Sequence, residues 1–395
     1  MQKIKTWPYL AFQMFFSLLL WIPVFYEFQK KIGLNDNQIF NIQSWYYLFF
    51  VFFEIPTGYF SDRFGHKRCI QLGSLILAFS NTIPIWMDNF NGMLIHFLLI
   101  ALARALLSGA ASAYLYEYLQ EHQAVDQYKQ IEGQARYYAL IARIIGWSTV
   151  GHLMQVNLYL PYYFTALITF MAFVMSFVMP NLNSKEHCHE NRSIFNDFVV
   201  IPKIIYNTPI LVLLMLQGVG IFLLTRISMV NLYQPILKMK DFNLEMFGIL
   251  MAIMTAFEAI GAKYSHKVDG KEHKVLFAIS SVLCFSFILL SFGGQLVTAL
   301  GFIIFSFAAG MAFPLQKEII NKNITNGSYR ATILSMESII DRLVSAVVVS
   351  FVGGFIADGR LVDYLLFSAA GTFVVVVAVF FVLNKMSLGV VNENA

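Results

Sequence analysis

Phe53-Glu54-Ile55-Pro56-Thr57-Gly58-Tyr59-Phe60-Ser61-Asp62-Arg63-Phe64-Gly65-His66-Lys67-Arg68 is the stretch on which the fold turns. It leaves one apolar run (39–60), crosses a few polar residues, and enters a second apolar run (69–87). Arg63, Lys67 and Arg68 in so short a connection read as charges that hold a loop on one side of a bilayer. Gly58 lets two helices approach closely, and Gly65 permits a tight turn that a side chain would obstruct. Asp62 is suited to accept from backbone N–H groups at a helix N-terminus, where the helix dipole favours its charge.

The rest of the chain agrees with a membrane setting. Hydrophobic residues make up 58% of the 395 and charged residues only 13%. A water-soluble domain has about twice that charge, and this chain in water would expose apolar patches far beyond what a soluble surface tolerates. A span needs about 20 mostly apolar residues. Such segments fall near 8–28, 39–60, 69–87, 92–115, 134–155 and 160–180, then near 209–231, 244–264, 275–292, 296–316, 331–356 and 364–384. The expectation is an all-α integral membrane protein of twelve transmembrane helices in two six-helix halves. The halves would be 1–180 and 209–395, joined by a cytoplasmic linker at 181–208. Threading these spans puts 18 of the 27 Lys and Arg on one side and 5 on the other, with four inside spans. By the positive-inside rule, both termini are cytoplasmic.

Other classes find little support. Cys69, Cys188 and Cys284 are scattered and odd in number, so they give no disulfide framework. His187-Cys188-His189 in the linker lacks a second ligand pair, and no metal or other cofactor is expected. No basic run interleaved with aromatics points to nucleic acid. The first apolar segment ends in Glu27-Phe28-Gln29-Lys30-Lys31, not in a small-residue cleavage site, and reads as an uncleaved helix.

The opening stretch resembles the G-x-x-x-D-R-x-G-R-R/K signature of the major facilitator superfamily. Gly58, Asp62, Arg63, Gly65, Lys67 and Arg68 match, and His66 stands where Arg is usual. Glu54-Ile55-Pro56-Thr57 ahead of it resembles a subgroup with E-I-P-[ST]-G. Ser108-Gly109-Ala110-Ala111-Ser112-Ala113-Tyr114-Leu115-Tyr116 and Arg330-Ala331-Thr332-Ile333-Leu334-Ser335 resemble that subgroup too. The resemblance implies two bundles that rock about a central solute site, with the residue at Asp62 meeting the eleventh helix to hold one state closed. The Gly-Pro-rich fifth-span motif of proton-driven drug antiporters is missing, because 144–151 contains no proline.

Charges inside apolar segments are costly, about 2.5–3.5 kcal/mol each at the bilayer centre, so they tend to face the bundle interior and find partners. Arg104, Arg143 and Arg226 are candidates to line a solute cavity, because guanidinium forks match carboxylate and phosphate. Glu54, Glu258, Glu337, Asp341 and Arg342 are candidates for proton coupling or fixed ion pairs, since burial favours the neutral form of a carboxyl group. His96 and His152, toward outer span ends, read as interfacial. The expected function is alternating-access transport in the cell membrane. A monomer would exchange protons for a small organic solute and export it, the solute being an anionic or zwitterionic drug, siderophore or other metabolite. Proton-coupled uptake is the alternative. A membrane enzyme would need a motif such as HExxH or GxSxG, and neither occurs. A transport-incompetent sensor would usually carry an added soluble domain.

Overall fold

The computed structural model describes residues 4–182, 209–267, 272–324 and 330–393, and these form helices, turns and loops without a strand. Every segment expected as a span is helical. In chain order they are α1 Trp7–Lys31, α2 Asp36–Phe64, α3 His66–Trp86, α4 Phe90–Glu121, α5 Tyr128–Val156, α6 Leu160–Val178, α7 Ile210–Met239, α8 Leu244–Tyr264, α9 Glu272–Phe292, α10 Gln295–Asn323, α11 Arg330–Ala357 and α12 Leu361–Glu393. Ten of them are long and apolar enough to cross a membrane. The other two are α2 and α5, each 29 residues long. Gln38, Asn41, Gln43 and Glu54 dilute the first, and Glu132, Arg136, Arg143 and His152 the second. Length alone therefore does not separate a crossing helix from a polar one here.

Several helices are broken, and the breaks show how a chain without water satisfies its backbone. An unpaired N–H or C=O in hydrocarbon costs several kcal/mol. In α1 the regular helix stops at Ser17 and a 3₁₀ turn holding Pro23 runs over Ile22–Val24. The groups freed at the break are taken by neighbours. Leu20 N–H donates to Thr165 Oγ1 of α6 (3.0 Å), and Leu19 C=O accepts from the Trp147 indole of α5 (2.9 Å). Trp21 in turn donates to Asn81 Oδ1 (2.7 Å). Thus three helices are pinned at one depth by a kink that proline and aromatics create. In α2, Pro56 cannot donate to the preceding turn, and Thr57 Oγ1 donates to Phe53 C=O there (2.8 Å).

The chain divides into two compact units, Met1–Asn191 with Asn243–Ala252, and Arg192–Phe242 with Ile253–Ala395. In the first, Phe12, Cys69, Ile70, Leu106, Tyr114, Leu115 and Ala172 form a buried core at one end of α1, α3, α4 and α6. A second buried cluster stacks Trp21, Phe97 and Tyr162 around His96. Small residues set helix spacing. A Cβ on Gly248 of α8 would stand 1.9 Å from Trp147 O of α5, and one on Gly151 would stand 2.4 Å from Leu244 O.

In the second unit α8 and α10 touch backbone to backbone. A Cβ on Gly310 would lie 2.1 Å from Glu258 O, and one on Gly261 2.1 Å from Phe307 O. Because the obstacle is backbone, rotation of a side chain cannot relieve it. Gly310→Val is expected to lower the melting temperature of the detergent-solubilised protein by several degrees or abolish its folding. A melting curve matching the parent would show that the two helices are free to separate. Large apolar side chains such as Phe52, Trp86, Phe292, Phe351 and Phe381 remain exposed, as lipid-facing positions require.

Candidate functional site

The signature stretch folds as an uninterrupted join of two helices. Gly58, Asp62 and Arg63 ride the last two turns of α2, Gly65 alone makes the turn, and Lys67 and Arg68 open α3. Gly65 has φ +91° and ψ 146°, a conformation closed to residues with a Cβ. Its N–H donates to Ser61 C=O (3.0 Å) and its C=O accepts from Cys69 N–H (3.3 Å), so the turn leaves no orphan.

The basic residues do more than mark topology. Lys67 Nζ donates to Met179 C=O (2.6 Å) and Asn181 Oδ1 (2.7 Å), capping the C-terminal end of α6 where the helix dipole favours a cation. His66, at the departure from the signature, links three helices: its Nδ1 lies 2.8 Å from Ser61 Oγ and its Nε2 3.2 Å from Glu117 Oε1 of α4. The side chain of Asp62 lies outside the described residues, as do those of 330–335.

Nearby, Tyr9 Oη donates to Glu132 Oε2 (2.7 Å) and accepts from Gln13 Nε2 (2.8 Å). Tyr114 Oη donates to Pro180 C=O (2.7 Å) and its ring stacks on Tyr9. Sequence reasoning missed Glu117 and Glu132. Both sit where α4 and α5 run on past the apolar segments, so a hydropathy boundary drawn at the first charge discards them.

The intramembrane charges separate into distinct settings. Arg104 is half-buried in mid-α4, and its one polar neighbour among the described residues is Tyr46 Oη of α2 at 3.5 Å. Glu54 is half-buried in α2. Arg143 of α5 is half-buried with its guanidinium 6.0 Å from the Trp147 ring centroid, a cation–π arrangement. Arg226 lies half-buried in a π-helical stretch of α7, Leu223–Leu232, and Glu258 half-buried in α8.

Glu337 and Asp341, one turn apart on α11, are both buried. Three helices of the second unit meet at Glu337. A Cβ on Gly218 of α7 would stand 3.1 Å from Glu337 Oε1 and 2.9 Å from Gln316 Nε2 of α10, and that amide donates to Leu214 C=O (2.6 Å). No described residue donates to Asp341 Oδ1. Arg342 is half-buried beside it in sequence.

One expectation is corrected. His96 is not interfacial but fully buried, its Nδ1 2.6 Å from Ser80 O and its ring against Trp21, Phe97 and Tyr162. Trp21, at the break in α1, packs its ring edge-on against it. His152 is exposed. His187, Cys188 and His189 lie outside the described residues.

A family model described as Major Facilitator Superfamily matches residues 9–347, most of the chain. The chain belongs to this superfamily. Among curated relatives, it is 22% identical over 242 residues to an uncharacterized MFS-type transporter, YxaM, of Bacillus subtilis (strain 168). That match takes in 58% of this chain and 58% of the relative, so the chain spans under two thirds of the curated relative it matches.

Solved structures share the superfamily fold over nearly the whole length. A point mutant of the nucleoside transporter NupG matches with a TM-score of 0.77 at 15% identity, covering 95% of this chain and 98% of that one. A POT family transporter in complex with 5-aminolevulinic acid matches at 0.73 and 13%, covering 97% and 95%. A D-xylose–proton symporter matches at 0.70 and 10%, covering 95% of each. At these identities the likeness is one of fold. Superfamily membership, with ten helices long and apolar enough to cross a membrane, makes the chain an all-helical, multi-pass membrane protein.

Proposed function

We propose that the protein is a secondary transporter of twelve spans, six in 1–180 and six in 209–395, with both termini and the 181–208 linker on the cytoplasmic side. It works by alternating access in the cell membrane, as a monomer. It exports a small anionic or zwitterionic organic solute in exchange for protons. The observation that carries the reading is Arg104, a guanidinium held in mid-helix with a tyrosine hydroxyl as its polar neighbour. A cation so placed has capacity left for an anionic group, and its planar fork suits a carboxylate or phosphate. Arg143 and Arg226 extend the same preference. Glu337 and Asp341 supply the carboxyl groups that take up a proton on one side and release it on the other, with Glu54 and Glu258 as further acids. Superfamily membership and the matches to solved transporters support transport over enzymatic or sensor roles.

The test uses inside-out vesicles. Carboxylated and zwitterionic compounds are first screened for a rise in melting temperature of the solubilised protein, and a hit is then offered to energised vesicles. Export by proton exchange predicts that an acidic lumen drives the solute inward and that lumenal pH rises as it enters. Depletion of preloaded solute under the same gradient would instead establish proton-coupled uptake.

A further inference from the structure

Within the second unit lies a partly open cavity of about 350 Å³, its wall residues Phe367 and Gly371 exposed, that the proposed transport site does not use. Ile227 and Ser228 of α7, Phe287 of α9, Phe355 of α11, and Phe367 and Gly371 of α12 are among its walls, and none of the lining residues is charged. Its volume falls in the range of small-molecule pockets, which are mainly apolar with a few orienting polar groups.

Ser228 is the polar group that stands out. Buried helical hydroxyls in this unit typically bond back to the carbonyl four residues earlier: Thr225 to Ile221 (2.7 Å), Ser286 to Val282 (2.8 Å), Ser291 to Phe287 (2.7 Å), Ser306 to Phe302 (2.8 Å) and Ser345 to Asp341 (2.7 Å). Ser228 does not. It sits in the π-helical stretch Leu223–Leu232, in which Thr225 keeps such a bond and Ser228 makes none. Its Oγ is buried, the residue being 1% exposed, and has no hydrogen-bond partner among the described residues. An unmade hydrogen bond in an apolar setting is costly, and a π turn inside a helix is frequently a functional device.

We infer that this cavity is a binding site for a small, uncharged, mainly apolar molecule carrying one hydrogen-bonding group, seated with that group on Ser228 and its apolar body against the phenylalanines. A charged solute would find no counter-charge on these walls. This is therefore a second site, distinct in chemistry from one built on arginines, and it does not depend on the transport reading.

The probe is 1-naphthol, with naphthalene as the analogue lacking the hydroxyl. Both are titrated into the full-length, detergent-solubilised protein while its melting temperature is followed. A saturable rise with 1-naphthol is expected, at an affinity about two- to tenfold better than naphthalene, the worth of one neutral hydrogen bond. Ser228→Ala should remove that difference and leave naphthalene unaffected. Gly371 gives an independent variant. A Cβ built on it meets no atom within 4 Å, so the backbone there accepts a side chain, and the bulk of Gly371→Leu at the wall should abolish both responses. Absence of a saturable rise in the parent would overturn the site. So would a preference for 1-naphthol that survives Ser228→Ala, or binding that survives Gly371→Leu, and the cavity would then be space filled by lipid chains.

Discussion

Replacing Arg104 with alanine is expected to weaken solute binding roughly ten- to a hundredfold while leaving the melting temperature of the solubilised protein near that of the parent. Losing one charged hydrogen bond costs about 1.5–3 kcal/mol, which sets the range. The geometry separates this outcome from a structural one. A buried ion pair cut in half strands its partner and lowers stability by about 3–5 kcal/mol. Arg104 has instead a hydroxyl, Tyr46 Oη, at 3.5 Å. Truncation thus leaves a neutral group behind. Arg104→Lys should recover part of the affinity, since charge is kept and the bidentate fork is lost. A large fall in stability with unchanged binding would assign Arg104 to packing. So would recovery of binding when Glu54→Gln is added to the alanine variant.

Asp341→Asn is expected to abolish proton-driven accumulation and leave solute exchange at equal pH on both sides largely intact. Asparagine keeps the size and hydrogen-bonding capacity of a protonated aspartic acid but cannot release a proton. The carboxyl is buried, and its Oδ1 has no donor among the described residues, so the substitution removes no bond seen at that oxygen. Counterflow measured beside gradient-driven transport in the same vesicles checks the prediction. Loss of both activities would make Asp341 part of solute binding, and retention of both would move coupling to Glu337 or elsewhere. Glu337→Gln is the informative companion, because its carboxyl and the Gln316 amide of α10 both stand against Gly218 of α7.

Ten of the helices were legible because bilayer thickness demands a minimum run of apolar residues from a membrane-crossing helix. What the sequence concealed were the departures from that rule. The kink at Leu18–Trp21 is stabilised by Thr165 and Trp147, residues more than a hundred positions away, and nothing local to α1 announces them. The π stretch in α7 carries no proline or glycine to mark it. Charges in apolar runs were easy to find for the same reason that they are expensive. Their surroundings were not, because Tyr46, Gln316 and Gly218 are ordinary residues until folding brings them beside Arg104 and Glu337. His96 was misjudged since depth along a helix says nothing of which way its side chain faces. The signature's Gly65 was readable as a turn, whereas the pairing of His66 with Glu117 needed the helix to continue past its apolar end.

That turn has a mechanical consequence. A connection of several residues acts as slack, letting one helix move before the next is pulled. Between α2 and α3 there is one residue, with its own N–H and C=O tied into the helices on either side. Torque applied to the end of α2 must therefore pass to α3, and through Lys67 to the end of α6, with almost no lost motion. The pair behaves as a bell crank with Gly65 at its elbow. A flexible insert there, Gly-Ser repeated after residue 65, would uncouple the arms while leaving each arm intact.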